Sequence, residues 1–296
     1  MQIDGVEIED TFAEAFKMYG TRVLITAKNE KWALASAASM TGFSTSVIMC
    51  GCEAGIECEV PPEETPDGRP GTNVLVFAVS EKDLETQLMK RIGQCVMTSP
   101  TSACFNNLEG DIKITIGGKL RFFGDGYQIS KLLGKRRVWR VPVMEGEFVI
   151  EEKFQAQKAV GGGNFLILGK DIDHVLEASE KAVDAIKKVR NVIAPFPGGI
   201  VRSGSKIGSR YKFLEASTNT AYCPTLKAMV ESELPRDVNS VLEIVLDGLD
   251  VESVNEAMRK GIEAACSVDG IIKITAGNYG GKLGKYLIHL HELFGD

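Results

Sequence analysis

The sequence has little of what would assign its class at once. Its seven cysteines are odd in number and scattered, which does not fit a disulfide framework and is typical of a reducing cytoplasm. It has 34 Lys and Arg against 40 Asp and Glu, so it lacks the basic excess that nucleic-acid binders usually carry. The N-terminal MQIDGVEIEDTF has no apolar run like that of a signal peptide, and the longest uncharged stretch, residues 32–52, contains Ser, Thr and Gly. We therefore expect a cytoplasmic protein with no nucleic-acid partner and no membrane segment.

Motifs for tightly bound cofactors are also missing. The three glycines at positions 161–163 precede an expected strand rather than a helix, and no Walker A spacing occurs, so no nucleotide cofactor is indicated. Cys50, Cys52 and Cys58 have no fourth Cys or His nearby in the sequence. His289 and His291 share one face of an expected strand, which is more typical of a surface than of a metal site. The sequence therefore predicts no metal site.

Hydrophobic periodicity identifies four strand–helix units. We expect strands at residues 22–27, 73–79, 164–168 and 241–246. A helix is expected after each strand, at residues 29–40, 81–96, 171–189 and 251–266. Residues 137–154 alternate like paired strands. Residues 52–71 carry four prolines and little periodicity, so we expect a long loop there, either functional or a plain surface excursion.

The two halves of the chain also resemble each other. Ile-Lys-Ile-Thr occurs at residues 112–115 and 272–275, and Gly-Gly-Lys-Leu follows each copy, at residues 117–120 and 280–283. Two such matches in the same order, after aligned helices, indicate an internal duplication. We therefore predict an α+β fold of two ferredoxin-like (split β-α-β) lobes, residues 1–150 and 151–296, with antiparallel sheets and helices on one face.

Glu243 is the most informative ionisable residue. It is the only charge in residues 241–246, and a carboxylate in a covered central strand would have a raised pKa suited to proton transfer. The sequence supports equally well an alternative in which Glu243 faces water. Cys223 in the segment TNTAYCPT is a conceivable nucleophile, but without a histidine partner a semi-buried structural role is the better interpretation.

Loops rich in glycine and aromatic residues suggest a cleft for a flat, extended molecule. Glycine allows the backbone to approach a ligand closely, and aromatic rings supply flat walls, although ordinary turns with aromatic core residues would look the same. Together with the Cys223 segment, these loops (FFGDGYQ, APFPGG and AGNYGGKLG) supply the candidate substrate-binding residues: Phe122, Gly124, Asp125, Tyr127, Gln128, Pro195, Phe196, Pro197, Tyr222, Cys223, Asn278, Tyr279 and Lys282.

Long segments of the chain resemble the formylmethanofuran:tetrahydromethanopterin formyltransferases of methanogenic and related archaea. The resemblance covers nearly the whole chain. It includes GVEIEDTFAEAF (residues 5–16), TGFSTSVIMC (41–50), AGIECEVPPEETPDGRPG (54–71), RIGQCVMTSPTSACF (91–105) and AGNYGGKLGKYLIHLH (276–291), together with the loops above and APFPGGIV. Strings of this length and oddity are far more specific than a short motif.

The resemblance implies a reversible formyl transfer in archaeal one-carbon metabolism and methanogenesis. The formyl group would pass from the amine of formylmethanofuran to N5 of tetrahydromethanopterin, in a ternary complex with a tetrahedral intermediate. It further implies a soluble homo-oligomer, expected to be a homotetramer, with the two carriers as co-substrates and no tightly bound cofactor. The match of VLEIVL to the family's strand suggests that Glu243 is the active-site carboxylate.

Two further expectations follow from this chemistry. Backbone N–H groups in the glycine loops are expected to stabilise the oxyanion. Basic side chains are expected to hold the anionic tails of the carriers, the candidates being Lys119, Arg121, Arg202, Lys206 and Lys282. Two alternatives remain: a non-catalytic small-molecule-binding or regulatory module, and a formyltransferase subunit of a formyltransferase/hydrolase complex.

Overall fold

A computed structural model of the chain describes residues 1–295 and contains seventeen strands and six α-helices. The strands are β1 (Gln2–Ile3), β2 (Val6–Ile8), β3 (Phe12–Thr26), β4 (Glu53–Val60), β5 (Gly71–Ala78), β6 (Ala103–Asn106), β7 (Ile112–Thr115), β8 (Ile129–Leu133), β9 (Arg136–Val143), β10 (Gly146–Glu151), β11 (Lys153–Gly169), β12 (Val192–Ile193), β13 (Lys206–Ile207), β14 (Ala216–Ser217), β15 (Ser240–Gly248), β16 (Ile271–Thr275) and β17 (Tyr286–His289). The helices are α1 (Glu30–Thr41), α2 (Val47–Cys50), α3 (Glu81–Arg91), α4 (Gly117–Leu120), α5 (Ile172–Ile186) and α6 (Val251–Cys266). A π-helical turn, Ile92–Val96, extends α3.

Each half of the chain contains four antiparallel strands in the same spatial order. In the first half the order is β4-β5-β3-β6, with α1 after β3 and α3 after β5. In the second half it is β12-β15-β11-β16, with α5 after β11 and α6 after β15. The mixed α/β architecture expected from the periodicity is therefore present in both halves.

The two halves are joined by strands that belong to both. The middle of β3 pairs with the middle of β11, from Phe16 opposite Gly161 to Gly20 opposite Gln157. The N-terminal hairpin β1–β2 adds to β16 of the second half, and the C-terminal β17 pairs with the beginning of β3. Strand β7 of the first half pairs with β11. These exchanges make one continuous hydrogen-bonded framework.

The main core of the second half lies between its sheet and helices α5 and α6. Because side chains alternate along a strand, Leu242, Ile244 and Leu246 all point from β15 into this core. Glu243 and Asp247 consequently point to the opposite face of the sheet. Both helices begin at an aspartate cap: Asp171 accepts the N–H groups of Asp173 and His174, and Asp250 accepts that of Ser253. The apolar face of the sheet thus anchors the strand that carries Glu243.

The structure corrects three of the expected elements. Strand β11 begins at Lys153 rather than at residue 164, because its first residues pair with β7 and then with β3. Strand β3 begins at Phe12 rather than at residue 22, because its first residues pair with β17 and β11. The first part of the expected loop at residues 52–71 is strand β4, which pairs with β5. Its glutamates hid the pattern, since Glu53 is buried against Asp247 and Glu57 against Arg22, both far away in the sequence. Among residues 1–295, no helix has the length and apolar character needed to cross a lipid bilayer.

Candidate active site

Glu243 lies in the middle of β15, with its backbone paired on both sides. Leu166 of β11 lies opposite on one side. On the other side the N–H of Val201 donates to the carbonyl of Glu243 at 2.8 Å, and the N–H of Glu243 donates to the carbonyl of Val201 at 2.9 Å. The side chain is partly covered, and burial raises the pKa of its carboxyl group to about 7. Near neutral pH this group can therefore hold or release a proton.

The Pro195–Phe196–Pro197 segment runs along the same edge of β15. It connects the pairing of Ile193 with Asp247 to the pairing of Val201 with Glu243, so it lies beside the residues between them. Pro195 is buried, Phe196 is partly buried and Pro197 is exposed. Gly199 adopts φ +82°, and a Cβ at this position would lie 2.9 Å from Val183. The turn that returns the chain to β15 therefore requires glycine.

Tyr279 lies close enough to Glu243 for the Glu243 carboxylate to affect its pKa. Burial raises the pKa of the Tyr279 phenol, and the carboxylates of Glu243 and Glu14 raise it further. Its ring packs against Phe16, with 6.1 Å between the ring centroids. The phenol is thus kept protonated at neutral pH, as a hydrogen-bond donor close to Glu243.

Glu14 and Asn164 bind the loop that carries Tyr279. The Glu14 carboxylate is buried and accepts the N–H groups of Tyr279, Gly281, Leu283 and Gly284. Burial acts to raise the pKa of Glu14, but these four hydrogen bonds outweigh it and lower the pKa. Asn164 accepts the N–H of Gly277 at 2.6 Å and donates to its carbonyl at 3.1 Å.

This loop is one of those expected to supply backbone oxyanion donors. In addition to the N–H groups held by Glu14 and Asn164, that of Gly280 donates to the side chain of Asn278. The backbone of this glycine loop is therefore largely occupied by internal hydrogen bonds. The side chains of Tyr279 and protonated Glu243 are the better candidates for stabilising an oxyanion.

Tyr222 lies on the same face of the second-half sheet as Glu243. Burial raises the pKa of its phenol, while a hydrogen bond to Thr275 acts in the opposite direction. Thr275 lies opposite Leu166, which in turn lies opposite Glu243. Cys223 is partly buried, and its sulfur lies 3.4 Å from the hydroxyl of Thr218 and 3.3 Å from the carbonyl of Asn219. Both residues thus belong to the segment that covers this face.

The loop with Phe122, Gly124, Asp125, Tyr127 and Gln128 lies in the first half instead. Phe122 stacks under the Arg121 guanidinium, which also contacts the ring of Trp139. Gly124 packs against Gln128 and Pro142. Asp125 and Tyr127 are exposed. These contacts belong to the first-half sheet, so within one chain they are not part of the cluster around Glu243.

The remaining candidates occupy different positions. Asn278 has a role within the loop, since its amide donates to Thr11 and to the carbonyl of Phe12. Lys282 is exposed on the same loop, and Arg202 is exposed directly after Val201. Lys119 forms an ion pair with Glu85, and Lys206 donates to the hydroxyl of Thr220 at 2.7 Å. Of the basic candidates, Arg202 therefore follows the partner of Glu243 on β15, and Lys282 lies on the loop that carries Tyr279.

Three residues of this region escaped the sequence analysis: Glu14, Asn164 and Asp247. Asp247 follows Glu243 on the same face of β15, is fully buried and faces Glu53 of the first half, while its Oδ1 accepts the N–H of Gly162. Burial raises the pKa of both carboxyl groups, and for Asp247 the neighbouring Glu53 carboxylate raises it further. For Asp247 the only sequence signal is an acid in a mostly apolar strand, and this signal does not reveal the distant partner. Among residues 1–295, no group of three or more His, Cys, Asp or Glu side chains is placed to hold a metal ion.

Comparisons with known proteins show the family of the chain. Residues 1–143 match the family model for formylmethanofuran-tetrahydromethanopterin formyltransferase, and residues 146–293 match the model for the proximal lobe of the same family. The chain is 57% identical over 296 residues to the formyltransferase of that name from Methylococcus capsulatus, covering 99% of both chains.

Two solved structures share the whole fold. The enzyme from Methanosarcina barkeri is 54% identical, with a TM-score of 0.95 over 99% of this chain and 100% of that chain. A chain of the formyltransferase/hydrolase complex from Methylorubrum extorquens, solved with methylofuran, is 50% identical, with a TM-score of 0.96 over 99% and 98%. The resemblance recognised in the sequence is confirmed, and the chain belongs to the formylmethanofuran-tetrahydromethanopterin formyltransferase family.

Proposed function

We propose that the chain transfers a formyl group reversibly between the amine of formylmethanofuran and N5 of tetrahydromethanopterin. The observation that carries the proposal is Glu243, a carboxyl group with a pKa of about 7 beside a protonated phenol, in a chain of this family. Both carriers act as co-substrates, and no tightly bound cofactor is needed. A non-catalytic binding module is not favoured, because the full-length relatives are named as formyltransferases.

The chemistry explains why such a pair of groups is useful. A formamide is a poor acyl donor, so its carbonyl must be polarised and its departing amine must receive a proton. Attack by N5 on the carbonyl carbon forms a C–N bond and a tetrahedral oxyanion. We assign the stabilisation of this oxyanion to hydrogen bonds from the Tyr279 hydroxyl and protonated Glu243.

The second half of the reaction needs proton transfer. As the intermediate collapses, the carbonyl re-forms and the bond to the methanofuran nitrogen breaks. Glu243 gives its proton to that nitrogen and recovers one from N5 of the pterin, so the proton count balances. Side-by-side binding of both carriers in a ternary complex supplies a further part of the rate.

Substitution of Glu243 by Gln tests the assignment. The amide keeps the shape but cannot transfer a proton, so we expect kcat to fall by about 10²–10⁴-fold while both KM values change little. The assay follows formyl transfer between the two purified carriers. Glu147→Gln is the matched control, since Glu147 only pairs with Arg140 on the surface and its loss should leave kcat unchanged. Near-normal turnover of Glu243→Gln would remove Glu243 from the mechanism.

For the assembly and setting of the enzyme we propose a cytoplasmic homotetramer. The seven cysteines are all unpaired, as is usual in a reducing compartment. The expectation of an archaeal source is broadened, since the relatives include bacteria. A second candidate is a subunit of a formyltransferase/hydrolase complex, favoured by the likeness to the Methylorubrum extorquens chain. Size-exclusion chromatography of the purified chain, with activity measured across the peak, distinguishes the two.

We also propose that the two halves, residues 1–150 and 151–296, are ferredoxin-like lobes related by an internal duplication. The proposal is supported by the shared strand order and by two helices at equivalent places in each half. The repeated Gly-Gly-Lys-Leu has diverged in structure, since the first copy forms α4 and the second belongs to the loop held by Glu14. The substrate-binding roles of the residues around Glu243 belong to the same proposal.

A further inference from the structure

We propose that Glu14 is a positioning residue that holds Tyr279 beside Glu243. The inference rests on the proposed function for its kinetic consequence, and on the contacts of residues 276–284 for its geometry. Glu14 comes from β3, far from this loop in the sequence, and does not itself need to touch a substrate.

The Glu14 carboxylate is saturated by the loop. Its Oε2 accepts the N–H of Tyr279 at 2.6 Å and that of Gly281 at 2.9 Å. Its Oε1 accepts the N–H groups of Leu283 and Gly284, each at 2.5 Å. Four hydrogen bonds to one buried carboxylate form an anion-binding backbone nest whose anion belongs to the protein.

The loop backbone is shaped for this contact. Gly280 and Gly281 adopt φ +70° and +71°, in the left-handed region that lets successive N–H groups converge. Gly284 passes so close to β3 that a Cβ would lie 2.6 Å from the carbonyl oxygen of Ala15 and 2.6 Å from Cγ of Glu14. The loop therefore packs directly on the side chain that binds it.

Both ends of the loop have separate anchors. Asn164 binds Gly277 at the start, and β17 pairs with β3 from Tyr286 opposite Ala15 onwards at the end. Loss of the Glu14 contacts should therefore release only the middle of the loop. Tyr279 lies in that middle, and its own N–H is one of the four donors.

A neutral amide cannot replace the carboxylate. Glutamine offers one acceptor oxygen, and its NH₂ group would face N–H donors that need an acceptor. Glu14→Gln should therefore displace Tyr279 while keeping nearly the same volume. Because misplacement by about 1 Å can lower a rate by about 100-fold, we expect kcat to fall by about 10–100-fold with little change in KM.

The experiment combines Glu14→Gln with Tyr279→Phe. If Glu14 acts through Tyr279, the double variant has nearly the kcat of Tyr279→Phe alone. Multiplied losses, or a kcat of Glu14→Gln within about twofold of the wild type, would overturn the proposal. Glu57→Gln is the matched control, because that equally buried carboxylate binds Arg22 and the N–H of Asn191 away from the loop. It should lower thermal stability without a selective loss of kcat.

A second readout does not depend on catalysis. In Gly284→Ala, which pushes the loop off Glu14 but keeps the Glu14 charge, NMR titration of ¹³C-labelled tyrosine should show the pKa of the Tyr279 phenol moving towards its ordinary value as Tyr279 leaves Glu243. An unchanged Tyr279 signal would contradict the proposal even if the kinetics changed. If the wild type transfers no formyl group, the proposed function fails, and the titration still decides the position of Tyr279. Should Glu14→Gln not fold, Gly284→Ala should also give the loss of kcat.

Discussion

At the scale of single residues, Glu243 is ionised at the expense of stability. Its ordinary pKa of 4.5 rises to about 7 in the folded chain because burial removes water from the carboxylate. The stabilisation that the protonated carboxyl gives to the folded state is therefore complete below pH 4.5, and it is lost as the pH rises through about 7. Such a group is typical of a functional site, where stability is given up for reactivity.

Glu243→Gln should consequently be more stable than the wild type in alkaline solution. The amide has no charge to bury, so we expect a gain of about 3 kcal/mol at pH 8 and less than about 1 kcal/mol at pH 5. Thermal or urea unfolding of both proteins at the two pH values measures the difference. A gain of the same size at both pH values would show that burial of the charge is not its cause.

The second acidic pair, Asp247 and Glu53, should make the protein sensitive to high pH. Both carboxyl groups have raised pKa values, from burial and, for Asp247, from its neighbour, so the pair is stable when it shares a proton. The stabilisation that the protonated pair gives to the folded state is complete at low pH. It is lost as the pH rises through the raised pKa values of the two carboxyl groups.

Asp247→Asn should flatten this alkaline loss. The asparagine amide can donate to Glu53 permanently, and its oxygen can still accept the N–H of Gly162. The melting temperature of the variant should therefore change less between pH 7 and pH 10 than that of the wild type. The control is Asp184→Asn, which alters an exposed helix residue. A steeper alkaline decline in Asp247→Asn would contradict the shared proton.

At the scale of elements, helices were predictable and buried carboxylates were not. Helix α6 was predicted at residues 251–266, which are its observed bounds, because its apolar stripe is complete. Strand β4 escaped, since Glu53 and Glu57 gain partners only when distant segments fold against them. Glu243 could be singled out because it is the only charge in its predicted strand. Glu14 could not, because its four hydrogen-bond donors lie in a loop that is distant in the sequence.

The cap of α6 provides a test at this scale. Asp250→Ala removes the acceptor for the N–H of Ser253 and for the amide of Asn191, so stability should fall by about 1 kcal/mol. Asp250→Asn keeps an acceptor and should lose less. At temperatures well below unfolding both variants should keep kcat, since α6 supports the sheet from the face opposite Glu243. A selective loss of kcat in Asp250→Ala would show that the helix also shapes the site.

At the scale of the whole molecule, the shared strands should make unfolding cooperative. The exchange of β1–β2, β7 and β17 between the halves pairs the four-stranded sheet of each half with strands of the other half. Both tryptophans, Trp32 and Trp139, lie in the first half. Helices α5 and α6 of the second half contain half of the α-helical residues, so circular dichroism also reports the second half.

Tryptophan fluorescence and circular dichroism should therefore report the same transition. We expect coincident midpoints in urea, with one midpoint shift when either half is destabilised, for example by Asp250→Ala. Fluorescence at fixed protein concentration, with a repeat at tenfold dilution, separates chain unfolding from dissociation. Two separated transitions at both concentrations would mean that the halves unfold independently.

The most direct test of the account is the pH dependence of formyl transfer in a single turnover, with both carriers saturating. If protonated Glu243 delivers the proton, the wild-type rate falls above an apparent pKa of about 7, and this limb is absent from the much slower Glu243→Gln. The same limb in both proteins, with similar rates, would contradict the central role of Glu243.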